Sequence, residues 1–328
     1  MTIRCRPATR RGILSTVSSV YDPLGLLSPF ILKAKQLLQE LCKSMYGWDH
    51  VIPQEFAKAW QRWVNELNML HDFQVPRCMK PENFDPVETA ELHHFCDASE
   101  SGYGTVSYLR LSNHQGQIHI CFIFGKARVA PLKQMTIPRL ELTAATLAVK
   151  VDRMLKKELH LPLSDLTFWT DSTSVLKYIH NQTKRFHTFV SNRIAIIHDL
   201  SHTSQWRYVS SKVNPADDAA RGLYVESFLR SKWLTGPEYL NREKRTWLKH
   251  TEGLKEIPAN DPEVRKEITA VPKLGSDRPR GPEGSAGIKV RRRALAPPPG
   301  EGKKTEKGDR KPETLGDQTK RKQRTKGD

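Results

Sequence analysis

The sequence predicts an α/β protein: a mixed β-sheet flanked by helices, entered through a helical N-terminal segment and followed by a disordered C-terminal tail. Three observations carry that prediction. Helical spacing of apolar residues governs roughly the first 80 residues, and a period-two pattern takes over near residue 91. Strands then alternate with helices up to about residue 225. Beyond residue 258, proline, glycine and charge replace the apolar pattern.

The N-terminal segment, residues 1–87, is expected to hold two helices. Pro29 to Met45 puts Ile31, Ala34, Leu37, Leu38 and Leu41 on one stripe at helical spacing. Pro53 opens a second helix with Phe56, Trp60, Trp63, Leu67 and Leu70 on its apolar face. Turn signals such as Asp22-Pro23-Leu24-Gly25 precede both, and the tryptophans read as packing residues. ELHHFCDAS then reads as a strand, and TVSYLRLSN, the turn NHQGQ and IHICFIFGKARV form an antiparallel hairpin. In HHFC, residues 93–96, alternation sends successive side chains to opposite faces, so the cluster reads as core and surface rather than a metal site.

A long helix from Pro138, PRLELTAATLAVKVDRMLKKEL, is followed by the strand DLTFWTD and the helix STSVLKYIHN. A helix over Thr188 to Leu200, the strand QWRYVSS and a last short helix opened by NPADDAARG complete the series. The sheet domain is thus read as residues 88–225, with an extension over 226–257 and the tail over 258–328. That tail, with KVRRR and KRKQR in it, has too little apolar surface to offset roughly 1–2 kcal/mol of backbone entropy per residue. It reads as a solvated tail or the read-through of a decayed frame; non-specific nucleic-acid binding and nuclear import are the alternatives.

Composition narrows the partner. The 328 residues carry 53 Lys and Arg against 36 Asp and Glu, a net charge of +17, with pI ≈ 9.7 and mean hydropathy −0.58. That balance favours a polyanion, nucleic acid before membrane. No run approaches the ~18 apolar residues of a membrane span, and MTIRCRPATRRGIL lacks a signal-peptide pattern. An intracellular protein, cytoplasmic or nuclear, is expected. Cys5, Cys42, Cys78, Cys96 and Cys121 are odd in number, widely spaced and without a CxxC pair. They read as reduced, mostly buried thiols, which excludes a zinc finger or a disulfide framework.

Four carboxylates stand out by position. Asp97 ends the first strand, Glu141 sits in the first turn of the long helix, Asp171 ends FWTD, and Asp217 starts the last helix. Strand C-termini and helix N-termini share one edge of an α/β sheet, so side chains 44, 30 and 46 residues apart can converge there. Taken singly, each Asp is more readily a cap or turn residue, Asp171 and Asp217 above all. A cluster of four carboxylates needs counter-charge, and an oxygen-only donor set favours Mg²⁺ or Mn²⁺ over zinc. Two such ions about 4 Å apart suit an in-line phosphoryl displacement.

HFCDASESGYG, IPRLELTAA, FWTDSTSVL and NPADDAARG, in this order, resemble the ribonuclease H-like region in the polyproteins of BEL/Pao long-terminal-repeat retrotransposons. GILSTVSSVYDPLGLLSPFILKAKQLLQELC is similar to the segment joining reverse transcriptase to ribonuclease H there, and the likeness runs on to SFLRSKWLTGPEYL, about residues 10 to 240. The same stretch also goes by the name Pao retrotransposon peptidase family, which implies a different activity. The resemblance implies a ribonuclease H-like fold with Asp97, Glu141, Asp171 and Asp217 as catalytic, metal-binding carboxylates around two Mg²⁺ or Mn²⁺ ions. Asp217 is chosen over Asp218 because Ala216, Asp217 and Arg221 fit the pattern A-D-x-x-x-R, which turns Asp218 about 100° away. The implied substrate is RNA in an RNA·DNA hybrid during reverse transcription, with the reverse transcriptase of the same polyprotein as partner and no membrane.

The sequence also departs from that pattern. YVSSKVNPAD lacks the catalytic-loop histidine of many cellular ribonucleases H, and His198 and His202 read as surface residues. No Y-x-D-D polymerase motif and no His-His-Cys-Cys module is present, so the chain reads as a polyprotein fragment. Hybrid binding would rest on phosphates, groove shape and the 2′-OH rather than on base sequence. Lys126, Arg128, Lys133, Arg139, Lys184 and Arg185 lie near the site in sequence, and Arg139, Lys184 and Arg185 are taken as the nucleic-acid contacts. Two other functions compete. A decayed copy would keep fold and charge as a binding module without turnover. An aspartic peptidase would need D-[ST]-G turns, and neither Asp97-Ala98-Ser99 nor Asp171-Ser172-Thr173 has the glycine.

Overall fold

A computed structural model of the chain describes residues 6–71, 73–84, 86–247, 256–258 and 260–266. All of them belong to one unit, residues 1–268. Five strands form a single sheet: β1 (Val87–Ala98), β2 (Gly102–Asn113), β3 (Ile118–Val129), β4 (Asp165–Thr170) and β5 (Trp206–Tyr208). Their spatial order is β3-β2-β1-β4-β5; β1, β2 and β3 run antiparallel, and β4 and β5 lie parallel to β1. This is the mixed sheet expected from the sequence.

Alternation along the central strands feeds two separate cores. Ala90, Leu92, Cys96 and Ala98 of β1, with Leu166 and Phe168 of β4, face α4 (Ile137–Glu158), α5 (Thr173–His180) and α6 (Thr188–Leu200). The run of alanines in α4, Ala144, Ala145 and Ala148, lets that helix lie close to the sheet. Phe95, Val106, Tyr108 and Trp169 point the other way. They are covered by α2 (Ser28–Lys43), α3 (Gln54–Met69), α7 (Ala216–Arg221) and α8 (Val225–Arg230), with α1 (Arg10–Ser19) packed behind α2.

The N-terminal helices are therefore built into the sheet's second core. Trp63 is 1% exposed, stacks on Phe30 and Trp60, and donates its indole proton to the Phe30 carbonyl at 3.0 Å. The turn before α2 forms because both oxygens of Asp22 accept backbone N–H groups, from Leu26 at 2.8 Å and Leu27 at 2.9 Å. Gly25, at φ 76°, lets the chain approach Gly125 of β3, whose N–H donates to the Leu24 carbonyl at 2.8 Å.

Several expectations need correction. His93 and His94 do face opposite sides of the sheet, yet both are buried rather than core and surface, because residues 238–247 cover the His93 side. The thiols are less buried than expected: of the four described, Cys96 is buried, Cys42 and Cys121 are half-buried and Cys78 is exposed. Glu141 falls in the second turn of its helix, because α4 begins at Ile137. Ordered chain also reaches past residue 258, since residues 260–266 lie against α5 and α6; the rest of the expected tail lies outside the described residues. Among the described residues no helix is long and apolar enough to cross a membrane.

Candidate active site

The last residues of β1, the residue after β4, and the opening turns of α4 and α7 meet at one edge of the sheet. Asp97 sits one residue before the end of β1 and points to the α7 side, in register with Phe95. Asp171 follows β4 directly, and the parallel pairing of Cys96 with Thr170 brings the two aspartates side by side. Each carboxyl then acts on the other as a hydrogen-bond partner. α7 sets Asp217 within electrostatic reach of both. Glu141, from α4, acts on Asp171 from the other side. Asp97 and Asp171 thus lie side by side, and Glu141 and Asp217 each act on that pair electrostatically.

Their electrostatics follow from burial. Asp97, only 6% exposed, is pushed up to about 8, first by burial and then by the charges of Asp171 and Asp217. Asp171 is also raised by burial, against the pull of backbone and side-chain donors, Asn214 among them. Glu141 is raised by burial; its hydrogen bond from Ser172 works the other way, and the charge of Asp171 adds to the rise. Oδ1 of Asp171 is buried without a hydrogen-bond partner.

No group of three or more His, Cys, Asp or Glu side chains among the described residues is drawn together into a metal-ligating set. The reason lies in what each carboxylate holds instead. Glu141 accepts from Ser172 Oγ at 2.6 Å, and Asp217 accepts from Arg221 Nε at 2.6 Å across one helical turn. The donor chemistry still fits a hard divalent cation: oxygen ligands only, an orphaned buried carboxylate oxygen, and acids that resist ionising together.

Two residues escaped the sequence reading. Ser172 caps α5, accepting the Val175 N–H at 3.2 Å, while its hydroxyl proton goes to Glu141. Asn214 anchors the approach to α7 through Nδ2, which donates to the Cys96 carbonyl at 3.3 Å, and accepts the Ala216 N–H at 3.1 Å. The signal for the first was an N-cap serine directly after a candidate aspartate; for the second, an asparagine before Pro-Ala-Asp.

Asp218 is turned away from this group toward Ser231, and burial lifts it to about 6. His198 and His202 are exposed, as expected. Lys133 and Arg128 are exposed and Lys126 half-buried on β3. Arg139 pairs with Glu263, and Lys184 Nζ donates to the Ile257 carbonyl. The side chain of Arg185 is exposed, and its own carbonyl accepts the Arg265 N–H at 2.8 Å.

A second group has the look of a nucleophile, base and acid in line. His94 Nδ1 lies 2.7 Å from Ser107 Oγ, and its Nε2 lies 3.2 Å from Asp152 Oδ1. All three are buried beneath α4, where no substrate carbonyl can reach them, so the line is a structural tie between sheet and helix.

The Pao retrotransposon-like RNaseH-like domain family matches residues 9–172, half of the chain, a span that takes in Asp97, Glu141 and Asp171 and stops before Asp217. No curated protein sequence matches significantly. Among solved structures, RNase H1 from the halophilic archaeon Halobacterium salinarum is 13% identical with a TM-score of 0.28, over 40% of this chain and 94% of its own. LC11-RNase H1 in complex with an RNA/DNA hybrid is 11% identical, TM-score 0.29, over 43% and 99%. A foamy viral protease-reverse transcriptase in complex with double-stranded DNA is 14% identical, TM-score 0.33, over 61% of this chain and 34% of its own. These are distant likenesses, and the family rests on the sequence match. With its ribonuclease H-like sheet order of β3-β2-β1-β4-β5 and a match over half its length, the chain belongs to the Pao retrotransposon-like RNaseH-like domain family.

Proposed function

We propose that the chain is a ribonuclease H, hydrolysing the RNA strand of RNA·DNA hybrids endonucleolytically during reverse transcription. The observation that supports this reading is the placement of Asp97 beside Asp171 at one sheet edge, with Glu141 and Asp217 in electrostatic reach and with burial and repulsion raising Asp97 to about 8. Such a group is ill at ease by itself and gains stability from bound positive charge. Asp97, Asp171, Glu141 and Asp217 would be the residues that hold the divalent ions. When bound, such ions lower the pKa of a water nucleophile and neutralise charge on the leaving 3′-oxygen.

The chain's own residues prepare that geometry. Ser172 fixes one oxygen of Glu141, leaving the other free to turn inward. Arg221 Nε holds Asp217 at 2.6 Å, and Asn214 steadies Asp171. A second reading, a nucleic-acid-binding module without turnover, draws on the same ion pair: an Asp217 that never leaves Arg221 cannot complete the set.

The test is cleavage of a labelled RNA·DNA hybrid in Mg²⁺ or Mn²⁺ by the full chain and by Asp171→Asn. RNA-strand cleavage that falls at least a hundredfold in the variant supports the enzyme. Folded protein that binds hybrid and leaves it intact in both metals supports the binding module and overturns the catalytic reading.

A further inference from the structure

Of the three side chains expected to grip phosphates, two are already engaged, and the third, Arg185, is tied to the same stretch through its backbone. Arg139, at the start of α4, holds Glu263 in a two-pronged pair, Nε to Oε1 at 2.6 Å and Nη2 to Oε2 at 3.0 Å. Glu263 is 4% exposed, so its carboxylate is spent on this one guanidinium. Lys184 Nζ is tied to the carbonyl of Ile257, itself buried in the α4–α5–α6 core. The backbone of residues 185–187 is paired as well: Phe186 bridges Val264, His187 N–H donates to the Glu263 carbonyl at 2.8 Å, and Arg265 N–H donates to the Arg185 carbonyl at 2.8 Å. The Tyr178 hydroxyl donates to Asp261 at 2.9 and 3.1 Å.

Orientation matters more than net charge in this stretch. Asp261 and Glu263 turn inward onto Tyr178 and Arg139, whereas Arg265 reaches out toward the Thr188 hydroxyl at 3.5 Å. The patch adjoins the carboxylate cluster, since Tyr178 feels the charges of both Glu263 and Glu141. A forked guanidinium–carboxylate pair has the geometry that guanidinium offers to a phosphodiester. Arg139 and Arg193 both lie over the Phe189 ring, at 5.1 and 3.4 Å from its centroid, which gathers two cations at this surface.

We propose that residues 260–265 are an internal competitor for nucleic acid: the Glu263 carboxylate occupies the phosphate-binding surface formed by the start of α4 and the α5–α6 junction, and a hybrid must displace it to bind. The proposal rests on the ribonuclease H reading, which supplies the polyanion. The apparent affinity for hybrid is lowered by the fraction of molecules in which the surface is covered. Weakening the cover raises affinity without adding any new contact.

The experiment uses the full chain, with EDTA to prevent cleavage and a fluorescent 18-base-pair RNA·DNA hybrid as probe. Glu263→Gln keeps shape and removes the charge; it binds about tenfold more tightly than the natural chain. Arg139→Gln binds more weakly, and Glu263→Gln added to it brings no gain. Hydrogen exchange on the unaltered protein gives an independent reading: hybrid accelerates exchange at the Arg265 and His187 amides. Unchanged or weaker binding by Glu263→Gln, or amides that stay protected in the complex, overturns the proposal. A chain whose variants all fail to bind hybrid refutes the ribonuclease H reading itself, and this one with it.

Discussion

Replacing Asp97 by Asn keeps the shape of the side chain and removes a charge that the metal-free fold resists. Asp97 is held at about 8 by burial and by Asp171, against an ordinary value of 3.8. In the unfolded chain it has lost its proton by about pH 5. From there to about pH 8 the folded protein keeps a proton that the unfolded chain lacks. The unfolded state therefore binds fewer protons, and stability falls as pH rises, by up to about 1.4 kcal/mol per pH unit. Over the whole interval, roughly four units, the ceiling is about 5–6 kcal/mol. Asp171 relaxes as the shared proton leaves, so the full amount is not expected. Asparagine does not titrate, and any hydrogen bond it loses costs the same at every pH. The stability of Asp97→Asn relative to the natural chain should therefore rise by at least about 2 kcal/mol between pH 5 and pH 9. Urea unfolding in EDTA at pH 5, 7 and 9 measures it, with equal slopes in denaturant as the check on two-state behaviour. Parallel pH profiles for the two proteins would refute the argument that Asp97 is a buried, proton-holding acid.

Two further substitutions test how the site is held. Ser172→Ala removes both a helix cap and the donor to Glu141, costing about 1 kcal/mol in urea unfolding; an NMR titration should find Glu141 shifted further upward, and Ser172→Thr should restore both. In Gly104→Ala the new Cβ would meet Ala219 Cβ at 2.5 Å and the Lys126 carbonyl at 2.7 Å. The clash pushes α7 off β2, costs about 1–3 kcal/mol in thermal unfolding, and lowers hybrid cleavage by moving Asp217; natural stability in this variant would mean that α7 yields freely.

Much of this was legible in the residues. β3 and α6 run over Ile118–Val129 and Thr188–Leu200 as read from the sequence, because a polar turn or a clean apolar stripe brackets each. The pairing of Asp97 with Asp171 followed from two strand ends that share an edge of the sheet. What escaped depended on distant chain. α1 is rich in serine, threonine and valine, poor helix formers, and is held by the Thr9 cap and by burial of Ile13 and Val17. His93 alternates as expected, but its cover, residues 238–247, comes from far along the sequence. Arg139 read as a free cation because its partner, Glu263, lies in a stretch whose composition resembles a tail.

The way α2 is buried has a consequence for synthesis. Its partners α1 and α3 are its neighbours in sequence, but those on the sheet's second face, β3, α7 and α8, leave the ribosome later. At roughly 5–20 residues per second, the 178 residues between Lys43 and the end of α7 at Arg221 take on the order of 10–40 s to appear. During that time Phe30, Ile31, Leu32 and Leu41 can pack only on α1 and α3, with the sheet's half of their core still missing. The three N-terminal helices therefore have to hold together as a partial core until the second face of the sheet arrives to complete it.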